Sequence, residues 1–165
     1  MSFIRVLLFL PLLAGPALAG PQYVDGSGYA ASGFDVVAYA ELAPGAAPVP
    51  GSARFTADWN GARWAFATAE HRDRFLADPA RYAPAFDGHC AYGVAQGYKV
   101  PASPQRWTLV EGRLYLNYDR PVQSRWEKDV PGYLADAAAA WPALDPAPAS
   151  ADPVAEPLEQ PAPVP

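Results

Sequence analysis

Thiols, imidazoles and lysines are nearly missing from this chain of 165 residues, which has one cysteine (Cys90), two histidines (His71 and His89) and two lysines (Lys99 and Lys128). A single cysteine excludes an intramolecular disulfide and any zinc site built from several cysteines. Twelve Lys+Arg stand against 17 Asp+Glu, a formal charge of -5. That balance excludes a nucleic-acid partner, because neutralising a phosphate backbone needs clustered basic side chains. There is no Gly-rich phosphate cradle, no Gly-x-Ser-x-Gly, no His-Glu-x-x-His and no Cys-x-x-Cys. The familiar phosphoryl-transfer, hydrolase and dithiol enzymes therefore have no residues here to work with. No internal repeat is legible.

Proline and aromatic residues are plentiful: 20 Pro, 5 Trp, 9 Tyr and 7 Phe. Both ends differ in composition from the middle. Residues 1–19 carry Arg5, an apolar run from Val6 to Leu13, and Ala17-Leu18-Ala19, the small-x-small pattern of a cleaved secretory signal. The apolar run is too short for a membrane span, which needs roughly 20 residues. A periplasmic or secreted protein with no membrane span after cleavage is expected, with one thiol in an oxidising compartment. Residues 143–165 hold seven prolines, four acids (Asp145, Asp152, Glu156, Glu159) and neither an aromatic nor a basic residue. Such a segment cannot bury enough apolar area to offset its ordering entropy, so a disordered acidic tail is expected. This leaves an N-terminal extension, residues 20–33, and one domain, residues 34–142, long enough to build a core without staples.

Two hairpins are legible in that domain. Ala53 to Ala67 turns at Asn60-Gly61, the dipeptide that suits a two-residue type I′ turn. Folding there opposes Trp59 with Ala62, Ala57 with Trp64 and Phe55 with Phe66, and pairs Asp58 with Arg63 across the strands. Arg106 to Tyr118 turns at Glu111-Gly112 and lines up Trp107, Leu109, Leu114, Leu116 and Tyr118 on one face. A helix follows each hairpin. Thr68 caps Ala69 to Ala77, which Asp78-Pro79 ends, with His71 and Phe75 on one face. Pro121 opens a second helix with Val122 and Trp126 inward, and Tyr133 to Trp141 forms a third. The fold class is α+β: a small single domain of two antiparallel hairpins packed with helices.

Between the hairpins lies the least regular stretch, Pro84 to Gln105. Asp87 is placed to cap a short helix from Gly88 to Gln96, which puts Cys90 at its third position among outward-facing N–H groups. A thiolate there is favoured by the helix dipole and by a protonated His89, and opposed by Asp87 and by burial.

Phe34-Asp35-Val36-Val37-Ala38-Tyr39 and the run from Arg63 through Thr68-Ala69-Glu70-His71 to Asp78-Pro79-Ala80-Arg81-Tyr82 resemble a YHS domain. That module is attached to heavy-metal-transporting ATPases and some monooxygenases, and also occurs alone in secreted proteins. Gly88-His89-Cys90-Ala91-Tyr92, Gln96-Gly97-Tyr98, Leu114 to Tyr118 and Trp126 to Tyr133 are similar to the stand-alone exported branch, so the resemblance runs from Phe34 to Trp141. Some members of that branch are selenoproteins, which implies redox use of a chalcogen at the position of Cys90. Metal-associated members carry cysteines where this chain has Ala38, Ala67 and His71, so the resemblance does not carry soft-metal thiolate binding across.

Four residues are the candidates for a ligand or metal site: Cys90, His89, His71 and Asp35. Each has two readings. Cys90 is either a small buried hydrophobe or a reactive or ligating thiol. His71 is either a half-buried helix residue or a metal ligand. His89 neighbours Cys90 but points differently, and Asp35 either braces a turn or ionises in a pocket. Two functions follow. The first is a non-catalytic binding or accessory module that contacts a transition metal, a small ligand or a protein partner through the Cys90 loop. The second is a thiol-based redox protein or oxidant sensor that cycles Cys90 through sulfenic acid or a mixed disulfide. The lone thiol also permits an intermolecular disulfide dimer.

Overall fold

The computed structural model describes residues 20–156, 158 and 162–165; residues 1–19, the expected signal, lie outside the described residues. Each hairpin forms its own two-stranded antiparallel sheet: β1 (Ser52–Trp59) with β2 (Ala62–Phe66), and β3 (Ser103–Val110) with β4 (Arg113–Asn117). Both turn where expected. Asn60-Gly61 and Glu111-Gly112 each take two positive φ angles, the backbone a type I′ turn requires. The helices are α1 (Ala69–Ala77), α2 (Pro79–Tyr82), α3 (Ala91–Ala95), α4 (Arg120–Trp126) and α5 (Val130–Leu144). The architecture is α+β.

Pairing at the hairpin ends is as read, with Trp59 opposite Ala62, Ala57 opposite Trp64 and Asp58 opposite Arg63. Phe55 does not oppose Phe66. The register shifts between Ser52 and Thr56, so Ser52 meets Phe66 and Thr56 meets Ala65. A bulge of this kind bends the strand and is invisible to an alternation count. Helix α1 has the expected bounds because Thr68 accepts the His71 N–H. Helix α5 starts three residues before the expected Tyr133, because the Asp129 side chain accepts the Gly132 N–H and so caps an earlier turn.

The core is built from rings around two helix residues. Phe75 of α1 is fully buried, 5.0 Å from both Trp64 and Phe66 and edge-on to Trp59 at 5.9 Å. Trp126 of α4 is likewise fully buried, against Tyr115. Ring pairs in these geometries add about 0.5–1.5 kcal/mol each beyond the area they bury.

The matched roles of Phe75 and Trp126 belong to a repeat that overturns the expectation of none. Ser52, Asn60-Gly61, Thr68 and Phe75 recur 51 residues later as Ser103, Glu111-Gly112, Asp119 and Trp126. The two hairpins share their paired positions, their bulge and a Ser hydroxyl that accepts the N–H two residues on. Thr68 and Asp119 cap equivalent helices. Upstream, Ala31-Ser32-Gly33 and Phe86-Asp87-Gly88 form the same left-handed turn, 55 residues apart. Asp35 N–H donates to the Val49 carbonyl just as Cys90 N–H donates to that of Val100. A four-residue difference in the connecting loops breaks the period, and only scattered identities such as Val49-Pro50 and Val100-Pro101 remain.

The tail also departs from expectation. Its described residues lie on the body: Lys99 Nζ donates to the Asp145 and Ala147 carbonyls, the Tyr23 hydroxyl donates to that of Asp152, and Val164 pairs alongside Ser52. Glu156 pairs with Arg106 at 2.5 Å. The segment has no core of its own, but its carbonyls and carboxylates satisfy donors that the body leaves open. Among the described residues, no helix is long and apolar enough to cross a membrane.

Candidate functional site

Of the four candidate residues, the fold brings Asp35 and His71 together. Asp35 has no exposed surface and follows the first left-handed turn. Its Oδ1 accepts the N–H groups of Val37 and Ala38, and its Oδ2 accepts that of Ala67 at 2.8 Å. Thus Asp35 braces its own turn and also ties it to the end of β2. His71 reaches the same Oδ2 from the first turn of α1, with Nδ1 at 2.7 Å. An ionised carboxylate can only accept, so Nδ1 carries the proton. Nε2 then lies 3.8 Å from Glu41 Oε2, and Glu41 Oε1 is bound by Arg74 at 2.6 Å. The result is a chain of polar contacts, Asp35 to His71 to Glu41 to Arg74, that fills the first half's site.

Cys90 occupies the equivalent place in the second half. It is not at the third position of a helix capped by Asp87. Helix α3 begins one residue after Cys90, whose own Sγ accepts the Gly93 N–H at 3.4 Å as the cap. Phe86 and Asp87 take left-handed backbone instead, and the Asp87 carboxylate accepts from Gln22 Nε2. The thiol faces Asn117 Oδ1 at 3.7 Å. Burial pushes the Cys90 thiol above its ordinary pKa, a shift opposed in part by N–H groups of Gly93, Tyr118 and Tyr92. A disulfide reagent at pH 8 should therefore react with native Cys90 about a hundredfold more slowly than with the chain in denaturant. Equal rates in an absorbance assay would contradict the buried, protonated thiol.

Beside Cys90 is a cavity of about 200 Å³, lined by Tyr92, Tyr98, Tyr118, Val122 and Arg125 among others. The three tyrosines come from α3, the loop after it and the end of β4, and Arg125 and Val122 come from α4. Arg125 lies over the Tyr92 ring at 5.7 Å, and its guanidinium has no carboxylate within ion-pair distance among the described residues.

His89, next in sequence to Cys90, has no part in this cavity. It is fully buried beside Tyr23, its Nδ1 donates to the Phe86 carbonyl at 2.9 Å, and its Nε2 accepts the Ser150 N–H at 3.1 Å. Burial pushes its pKa down to about 4. The imidazole is thus a neutral clasp that holds the tail.

A soft transition metal does not fit these residues. Both His89 nitrogens are engaged, His71 gives Nδ1 to Asp35, and Cys90 offers a single protonated sulfur. Among the described residues, no three His, Cys, Asp or Glu side chains converge as a metal site. No family model matches the chain, and neither a curated protein nor a solved structure matches it.

Sequence reasoning singled out Cys90 but missed Arg125, Val122 and the tyrosines around it. Tyr92 and Tyr98 follow Cys90 closely in the chain, and Tyr118, Val122 and Arg125 are brought to it by the return of β4 and α4. The one signal that could have found them is the faint repeat, which aligns Arg125 with Arg74 and Val122 with His71.

Proposed function

We propose that the chain is an exported, YHS-like binding or accessory module whose ligand is a small anion-bearing molecule seated beside Cys90. The observation that carries this reading is the cavity itself, which joins the Cys90 loop, three tyrosines and an arginine with no carboxylate partner among the described residues. Its volume of about 200 Å³ is below the roughly 300 Å³ at which drug-sized sites begin, so it suits a fragment of about one ring. The tyrosine faces offer stacking and the guanidinium a charge-assisted grip on a carboxylate. Thiol redox chemistry is the weaker reading, because a buried, protonated thiol is a poor nucleophile.

The test is two-dimensional NMR of the folded protein titrated with single-ring carboxylates. Shifts should centre on Cys90, Gly93 and Tyr118. Arg125→Ala should weaken binding about tenfold or more, since a charge-assisted hydrogen bond contributes roughly 1.5–3 kcal/mol. Shifts confined to other surfaces, or an unchanged affinity in Arg125→Ala, would refute the reading.

A further inference from the structure

The two halves carry one site in two states: filled by the chain's own side chains in the first, open in the second. In the first half Arg74 holds the Glu41 carboxylate at 2.6 Å, Glu41 stands 3.8 Å from His71 Nε2, and His71 Nδ1 is held by Asp35 at 2.7 Å. The repeat puts Arg125 in the place of Arg74, Val122 in that of His71, Gln96 in that of Glu41 and Cys90 in that of Asp35. The correspondence holds at hydrogen-bond level. The Leu42 N–H donates to the Tyr39 carbonyl and the Gly97 N–H to that of Val94, so Glu41 and Gln96 end equivalent turns. Asp35 Oδ1 and Cys90 Sγ each accept the N–H three residues on.

Three of the four charged or polar partners have thus become neutral in the second half, while the arginine is kept. Val122 is smaller than an imidazole, and the cavity of about 200 Å³ opens against it. Among the described residues, the guanidinium of Arg125 lacks the carboxylate that its counterpart holds.

We propose that the cavity takes a planar azole bearing a carboxylate, a ligand that supplies from outside what His71 and Glu41 supply within the first half. This rests on the reading of the cavity as a ligand site and names the class of ligand. The ring stands where the His71 imidazole stands and is flanked by the tyrosines. The carboxylate lies on Arg125 as that of Glu41 lies on Arg74, and Cys90, which lines the cavity in the place of Asp35, presents its sulfur to a ring nitrogen. The 3.8 Å between the His71 ring and the Glu41 carboxylate is a separation that one methylene spans.

The probes are imidazole-4-acetate, phenylacetate and imidazole, titrated by calorimetry into the folded protein. Imidazole-4-acetate should bind at least about tenfold more tightly than either of the others, the ratio expected when a site's donor or its charge is left unmatched. Gln96→Glu, at an exposed position, gives Arg125 an internal carboxylate and should weaken binding about tenfold. Val122→His fills the ring position and should do the same. If phenylacetate binds as tightly as imidazole-4-acetate, or if both variants keep full affinity, the azole assignment falls while a binding site remains. If none of the three binds, the site itself falls with it.

Discussion

Asp35→Ala is expected to destabilise the protein by about 3–5 kcal/mol. The carboxylate has no exposed surface and receives four N–H groups, three from the backbone and one from His71. Truncation leaves these donors without their acceptor at a fully buried position, and each unsatisfied donor costs about 1–3 kcal/mol before relaxation. Asp35→Asn keeps the volume but replaces one acceptor oxygen with a donor, so a loss of about 2–3 kcal/mol is expected. His71→Ala removes only one donor at a partly hydrated position and should cost about 1 kcal/mol. The measurement is urea unfolding of the three variants. A loss below about 1 kcal/mol for Asp35→Ala would mean that the turn does not depend on its brace.

Acid should unfold an Asp87→Asn variant sooner than the parent. His89 titrates at about 4 in the folded protein against an ordinary 6.5, because burial disfavours the imidazolium. Below pH 6.5 the unfolded chain binds a proton that the folded one refuses. Stability is therefore complete above pH 6.5, falls through the window, and is lost by pH 4, by about 3 kcal/mol in all. Asp87 acts in the opposite sense. Burial first, and then the charge of Asp145, push it up to about 6 from 3.8, so the folded chain binds the extra proton between those values and gains stability as pH falls. Asp87 is only half-buried, and screening reduces its contribution to about 1–2 kcal/mol. The parent should thus lose about 1–2 kcal/mol between pH 6.5 and 4, and Asp87→Asn about 3 kcal/mol. Asparagine tolerates the positive φ of this position and can still accept from Gln22. Protonated His89 also turns its acceptor into a donor against the Ser150 N–H, so hydrogen exchange around Ser150 should quicken over the same window. Parallel pH profiles for the two proteins would remove Asp87 as the compensating group.

The hairpin turns and the bounds of α1 were legible because they depend on near neighbours. Asn60-Gly61 specifies its turn, Thr68 its cap, and Asp78-Pro79 its stop, each within four residues of the effect. The start of α5 was missed through a local cap, Asp129 on the Gly132 N–H; the other local errors came where a more distant partner decided. Asp87 could cap a helix by spacing, yet Gly88 and the tie of Cys90 N–H to the Val100 carbonyl start that helix later, with Cys90 as its cap. Phe55 lost its partner because the bulge in β1, not the alternation, sets the register beyond Thr56.

The candidate site shows the same division. Cys90, His89, His71 and Asp35 were found by residue type alone, and the type was informative: all four side chains are buried or half-buried and hydrogen-bonded. What each does was not legible. His89 and Cys90 are adjacent in the chain, but one clasps the tail and the other faces the cavity, since successive extended residues point to opposite sides. Asp35 and His71 are far apart in sequence and share a 2.7 Å hydrogen bond.

By itself, then, the sequence determined the α+β class, the two turns, the first helix and the four polar residues worth attention, because each follows from propensities and caps acting over a few residues. Only the tertiary structure decided that the molecule is a repeat, that one half is closed by its own Glu41 and His71, and that the other leaves Arg125 without a carboxylate among the described residues. Those outcomes depend on side chains that α1 brings to the Asp35 turn in one half and β4 and α4 bring to Cys90 in the other, and contacts of that range leave almost no mark on the sequence between them.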